Sequence, residues 1–255
     1  MKVSSSRSRD GERVRPSRMR KWGDEMIIIK SEDELQAMRE AGRLVAKTHA
    51  VVAAAVRPGI TTASLDALAE EYILDHGALP AFKGYNGYPS TICVSVNKEV
   101  VHGIPGARTL DEGDIASIDI GVVLNGFYGD MARTYPVGKI STEAERLLCV
   151  TEKALAKGVA AAVVGNRLSD IGHAVQGFVE AHNLSVVRDF VGHGIGRSMH
   201  EAPQIPNFGR PGRGPRLKPG MVLAIEPMVN IGGWEVIVLS DNWTVVTADR
   251  SLSAH

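Results

Sequence analysis

The sequence predicts an α+β domain made of two related halves around a shared sheet, and three observations carry that prediction. The order helix, helix, strands runs twice along the 255 residues. The phrase VVHGIPG at 100–106 returns as VGHGIGR at 191–197, which sets His102 and His193 91 positions apart. LDEGDIASIDI (110–120) aligns with LKPGMVLAIEP (217–227) at an offset of 107, laying Gly113 on Gly220, Ile118 on Ile225 and Asp119 on Glu226. Self-similarity over so long a period marks a duplicated architecture. Two copies give a pseudo-twofold molecule in which equivalent carboxylates and histidines meet near one central site.

The elements follow in order. Residues 31–56 read as an amphipathic helix, opened by a Ser31–Glu34 capping box and stopped by Arg-Pro-Gly at 57–59. Residues 62–77 form a second helix with Gly77 at its end. TICVSV (91–96), IASIDIGVV (115–123) and FYGDMARTY (127–135) have the composition of strands. The second half repeats the scheme: a helix over 142–164 with Thr142 and Glu145 as its capping pair, then a helix over 168–183 with Asn183 in the role of Gly77. Strands are expected at 184–190, 221–229, 235–239 and 243–247. The halves therefore run from about 31 to 135 and from about 141 to 255.

Asp119 and Asp130 flank the turn signal LNGF. With Asn125-Gly126 as a two-residue hairpin loop, Leu124 pairs with Phe127 and Gly121 with Asp130. Asp119 lies two residues from Gly121 and so shares its face. The two carboxylates become diagonal neighbours, roughly 7 Å apart at the backbone and within side-chain reach of one ion. Glu226, on the repeat-related strand, makes a third. Three crowded carboxylates repel unless cations neutralise them. A carboxylate can bridge two metals, and oxygen ligation with one imidazole suits Mn, Fe, Co or Zn.

The histidines divide into two groups. His49, His76, His173 and His182 lie in helices without acidic strand partners and read as surface or satisfied core residues. His102, His193 and His200 lie in glycine-rich loops at strand ends, where backbone approaches ligands closely. GHGIGRSMHE (192–201) is the most specific short stretch of the chain.

Composition bounds the rest. Hydrophobic residues at 44% and charged residues at 23% are ordinary for a soluble domain. No run of 18 apolar residues suggests a membrane span. Cys93 and Cys149 are too few for a disulfide framework and suit a reducing, cytoplasmic setting. Residues 1–21 carry eight Lys/Arg against Asp10 and Glu12, a net +6, balanced by −6 in the remainder. Residues 1–25 are expected to be a disordered basic tail, either a solvated extension or an electrostatic contact to RNA, with the domain proper over 26–255.

YNGYPSTICVSVNKEVVHGIPG, IDIGVVLNGFYGDMARTY, GHGIGRSMHEAPQIPNFG and LKPGMVLAIEPMV together resemble the type I methionine aminopeptidases. The likeness runs from about residue 27 to the last residue, without large insertions. It implies the pita-bread fold, a curved and mainly antiparallel sheet with helices on one face. It also implies a cytoplasmic monomer that removes the initiator methionine from nascent chains with a small second residue. Two divalent ions (Co, Mn, Fe or Zn) are implied. By matching position, Asp119 would bind one metal, Asp130 would bridge, and His193 and Glu226 would bind the other. His102 and His200 would hold the scissile amide and stabilise the tetrahedral intermediate, with Glu226 also moving a proton. Phe82, Tyr85, Tyr88, Cys93, Met199 and Trp243 would line the methionine pocket, Met199 standing where bacterial relatives often have Phe.

The family pattern continues past SLSA to a Glu-His that supplies a further bridging ligand, whereas this chain reads DRSLSAH to His255. The resemblance therefore implies a C-terminally truncated chain. The expectations that follow are an unpaired sheet edge beside WTVVT, poor solubility, and little activity even with added Mn or Co. A prolidase or aminopeptidase P, and a non-catalytic pita-bread protein that binds protein or RNA, are the competing readings.

Overall fold

The structure is a computed structural model that describes residues 26–255. The basic tail over 1–25 lies outside the described residues. The first half opens with α1 (Glu32–Ala55) and α2 (Thr62–Asp75), followed by β1 (Leu79–Pro80) and a 3-10 turn at Tyr85–Gly87. Strands β2 (Ile92–Val96), β3 (Glu99–Val101), β4 (Ile115–Leu124) and β5 (Phe127–Pro136) complete it. The second half repeats the helix pair as α3 (Thr142–Ala161) and α4 (Leu168–Glu180). Its strands are short: β6 (Ser185–Val186), β7 (Gly192–Gly194), β8 (Glu201–Ile205), β9 (Leu223–Ala224), β10 (Val229–Asn230), β11 (Val236–Val238), β12 (Val245–Thr247) and β13 (Ser253–Ala254).

Local chemistry sets the helix ends. The Ser31–Glu34 capping box is present in both directions. Gly77, at φ +70°, ends α2 with the paired bonds of a Schellman motif: Gly77 N–H donates to Leu74 O and Ala78 N–H to Ile73 O. Asn183, at φ +54°, repeats both bonds after α4, donating to Glu180 O while Leu184 donates to Val179 O. The start of α3 differs from expectation. Ser141 is the cap, its hydroxyl accepting from Ala144 N–H at 3.2 Å, so Thr142 and Glu145 are already inside the helix. Adjacent hydroxyls made the frame ambiguous, and the glutamate spacing pointed one residue too late.

All strand pairings are antiparallel, and among the described residues they form four small sheets. Their orders are β1-β4-β2 with β5 on β4, β13-β10-β6, β11-β12-β3, and β8-β7-β9. The one shared sheet is therefore divided, but β3 of the first half pairs with β12 of the second and ties the halves together. Two expected strands shrink. Residues 184–190 keep only β6, and 221–229 break into β9 and β10. Pro227 has no N–H for a ladder, so the chain leaves the sheet around Glu226. The expected open edge beside 243–247 is absent, because β12 lies between β11 and β3. Among the described strands, β5 pairs on one side only, with β4.

The duplication is clearest in the core. Leu44, Val45, Val52, Leu65, Ala69 and Ile73 of α1 and α2 pack on Ile92, Val94, Ile118 and Ile120 of β2 and β4. Leu147, Val150, Ala154, Val175 and Val179 of α3 and α4 pack correspondingly on Val186, Val229 and Ala254. His49 is a satisfied core residue. Its Nε2–H donates to Met131 O at 2.8 Å and its Nδ1 accepts from the Tyr135 hydroxyl at 3.0 Å. His76 and His173 are exposed and His182 is half-buried.

Candidate metal centre and substrate pocket

The hairpin places the first two acids where the sequence count puts them. Asn125 and Gly126, at φ +54° and +78°, make the left-handed two-residue turn. Leu124 pairs with Phe127, Gly121 with Asp130 and Asp119 with Ala132. The Asp130 carboxylate lies close enough to act on Asp119 electrostatically. Burial, together with the Asp130 charge, pushes the Asp119 carboxyl well above the usual range. Burial, Asp130 and Asp119 do the same to Glu226.

The second half brings an imidazole to these acids. His193 sits in β7 between Gly192 and Gly194. A Cβ on Gly192 would stand 2.3 Å from Ala224 O, and one on Gly194 would stand 2.2 Å from Ala202 O. Only glycine lets β8 and β9 approach β7 this closely. His193 Nδ1–H donates to Gly194 O at 2.9 Å, which leaves the Nε2 lone pair free. That Nε2 lies 3.2 Å from Glu226 Oε1 and 3.6 Å from Asp130 Oδ2. Glu226 follows β9 and precedes Pro227, and Asn207 Nδ2 donates to its carbonyl at 3.0 Å.

Two further histidines close the site. His200 has its ring 4.2 Å from that of His193, and its Nδ1 meets the Tyr85 hydroxyl at 2.8 Å. His102, itself at φ +60°, sets its ring edge-on to Phe190 at 5.6 Å and Trp243 at 6.2 Å. Burial pushes both imidazoles down to about 4, aided at His200 by His193 and His102 and opposed at both by Asp130. Both are therefore neutral at pH 7. His255, which the sequence reading passed over as the end of a motif, also reaches the centre: its Nε2 lies 3.9 Å from Glu226 Oε2.

The donor set fits a divalent cation. It is oxygen-rich with imidazole, and Glu226 Oε1 and His255 Nε2 are buried without hydrogen-bond partners. Donors about 2.1 Å from one ion lie roughly 3–3.5 Å apart, close to the His193–Glu226 and His193–Asp130 spacings. Among the described residues no three of these side chains are placed to hold an ion as they stand, so binding requires them to shift.

The proposed pocket residues gather beside the acids. Phe82, Tyr88, Cys93 and Met199 form one buried apolar cluster, with Tyr85 and Trp243 packed on it. Cys93 is the β2 partner of Asp119. The Tyr88 hydroxyl donates toward Ile92 O and Gly103 O, and its ring meets Trp243 edge-on at 5.1 Å. A separate cavity of about 560 Å³ opens on the other side, between β5 and α3. Its walls run from Arg133 and Leu148 to Asp119, Asp130, Glu226 and His255.

Comparison with known proteins agrees with this geometry. Residues 36–247 match the model of metallopeptidase family M24. The methionine aminopeptidase of Clostridium perfringens is 59% identical over 230 residues, which cover 90% of this chain and 92% of that protein. The crystal structure of methionine aminopeptidase from Rickettsia prowazekii superposes with a TM-score of 0.88 at 47% identity, covering 90% of this chain and 93% of that one. Prolidase from Pyrococcus furiosus, at 21% identity and a TM-score of 0.69, shares the fold alone and is covered over only 64% of its length. By sequence and by fold, the chain belongs to metallopeptidase family M24 and, within it, to the methionine aminopeptidases.

Proposed function

We propose that this chain is a metal-dependent aminopeptidase that removes N-terminal methionine from polypeptides with a small second residue. One observation carries the reading. Asp119, Asp130 and Glu226 crowd together from both halves, and no described ion pair links any of them to a lysine or arginine. Such a cluster calls for bound cations. Asp119 with Asp130 would hold one divalent ion, and Asp130, His193 and Glu226 a second, with Mn, Fe, Co or Zn suited to the donors. Bound ions of this kind polarise a carbonyl and make water nucleophilic near neutral pH.

The protein's own groups supply the rest. His102 and His200, kept neutral, hold the scissile amide and donate to the oxygen that gains charge, worth about 3 kcal/mol per well-placed donor. Glu226 carries a proton between water and the leaving amine. Tyr85 orients His200 through its hydroxyl. Phe82, Tyr85, Tyr88, Cys93, Met199 and Trp243 receive the methionine side chain, since aromatic and sulfur atoms pack well on a thioether. The enzyme is read as a cytoplasmic monomer acting on nascent chains, with its basic tail on ribosomal RNA.

The test is release of methionine from Met-Ala-Ser by metal-stripped protein as Mn(II) or Co(II) is added. Cleavage, low as the absent bridging glutamate leads one to expect, should depend on the added metal. Norleucine and leucine should be the best substitutes for methionine, and lysine or glutamate should be refused. Metal-independent cleavage, or efficient removal of N-terminal lysine, would overturn the reading. Deleting residues 1–21 should weaken ribosome cosedimentation at low salt and spare peptide cleavage. Unchanged cosedimentation would remove the ribosomal role.

A further inference from the structure

We infer that His255 is a further metal-ligating residue, placing a second imidazole on the Glu226 side of the centre. The inference rests on the metal-site reading above. It begins from an unpartnered atom. The His255 side chain is only 4% exposed, and its Nε2 is buried with no hydrogen-bond partner. Glu226 Oε1 is in the same condition. A polar atom left so costs about 1–3 kcal/mol unless something binds it. Two such atoms beside one cavity point to a shared ligand.

The imidazole is held in place by its backbone. Ala254, immediately before it, pairs with Val229 of β10, so β13 fixes the approach. His255 N–H donates to Thr134 Oγ1 at 2.8 Å, and the Thr134 hydroxyl donates back to His255 O at 2.9 Å. Thr134 lies four residues beyond Asp130 on β5, hence on the same face. The strand that carries the bridging acid therefore also positions His255. Both His255 and Glu226 line the 560 Å³ cavity, which gives an ion access. The 3.9 Å between His255 Nε2 and Glu226 Oε2 is within the roughly 4.2 Å that two donors at about 2.1 Å from one ion can span. A neutral imidazole with a free Nε2 is a common ligand for such metals.

The probe is Co(II) alone, added at one equivalent to metal-stripped full chain and read by X-ray absorption for imidazole count and by calorimetry for affinity. Wild type should show two imidazoles on the ion, and His255→Phe and His193→Ala one each, with tenfold or more weaker binding in either. His255→Gln keeps the backbone bonds to Thr134 and should lose the same imidazole, which covers the case in which His255→Phe does not fold. An unchanged imidazole count and affinity in the His255 variants, with loss in His193→Ala, would overturn this inference alone and leave a water as the partner of Nε2. Unchanged binding in His193→Ala as well would overturn the metal-site reading on which it stands.

Discussion

The two halves share a plan but deliver their chemistry differently. The first half presents Asp119 and Asp130 from β4 and β5, two ten-residue strands in unbroken register. The second presents His193 from a three-residue strand and Glu226 from a break between two-residue strands. A long ladder fixes side-chain faces by simple alternation. A broken one needs tertiary contacts to do the same: glycines that admit neighbouring backbone, a proline that ends pairing, and Asn207 on the Glu226 carbonyl. The comparison teaches that one fold can hold its acids rigidly on one side and its imidazole by close backbone packing on the other.

The largest effect should come from the acid that both halves use. Asp130→Asn should cut Met-Ala-Ser cleavage a hundredfold or more, about 3 kcal/mol or more of lost stabilisation. In metal-stripped protein the same acids are a liability. Burial and mutual repulsion raise the carboxyls of Asp119 and Glu226, so their folded forms hold protons that the unfolded chain releases as pH rises through the ordinary carboxylate range. Stability is lost in that direction. Asp119→Asn should therefore melt higher than wild type at pH 7 when both are metal-free, while losing activity. A lower melting point would break the repulsion argument.

The glycines sharpen the contrast. Gly194→Ala would drive its Cβ into the Ala202 carbonyl, and backbone there cannot yield, so denaturation should show a loss of about 1–3 kcal/mol. Gly121→Ala meets the Phe82 ring at 2.5 Å and the Ala81 Cβ at 2.9 Å instead; the ring can turn away and only the longer Ala81 contact must be relieved by the backbone. Its stability loss should be smaller, and its KM for methionyl peptides should rise because Phe82 belongs to the pocket cluster. Equal stability losses would remove the distinction between the halves.

The legibility of the sequence follows the same division. The hairpin could be counted residue by residue from Asn125-Gly126, and the Gly77 and Asn183 stops were readable because left-handed caps have few suitable residues. The offset of 107 foresaw that Glu226 meets Asp119 and Asp130. Sequence pattern did not disclose β7 and β8, because Gly-His-Gly and Glu-Ala-Pro-Gln-Ile lack strand alternation and are shaped by backbone contacts from distant segments. His255 was missed for a related reason. Its neighbours in space, Thr134 and Glu226, are far away in the chain, and no local motif marks it. The open edge expected beside 243–247 was wrong, because β12 pairs with β11 on one side and with β3 of the first half on the other, a long-range pairing that no local pattern marks.

Smaller effects test the histidines. Burial pushes His49 down to about 4 from an ordinary value near 6.5, so it favours folding fully above pH 6.5 and loses that contribution as pH falls toward 4. Between pH 7.5 and 5.5 the wild type should lose about 1 kcal/mol more than His49→Gln in urea denaturation. Parallel losses would mean that folding leaves the His49 pKa unshifted. Tyr85→Phe removes the hydroxyl at His200 Nδ1 and should lower kcat five- to tenfold, about 1 kcal/mol, with little change in KM. A change confined to KM would make Tyr85 a pocket residue only.

The central claim is that Asp130 joins the acids of the first half to the imidazole and carboxylate of the second around shared divalent ions. Calorimetric titration of Co(II) into metal-stripped wild type and Asp130→Asn tests it most directly. Wild type should bind two ions and Asp130→Asn should lose tight binding of both, because each site depends on that carboxylate. Wild-type stoichiometry and affinity in Asp130→Asn would contradict the claim.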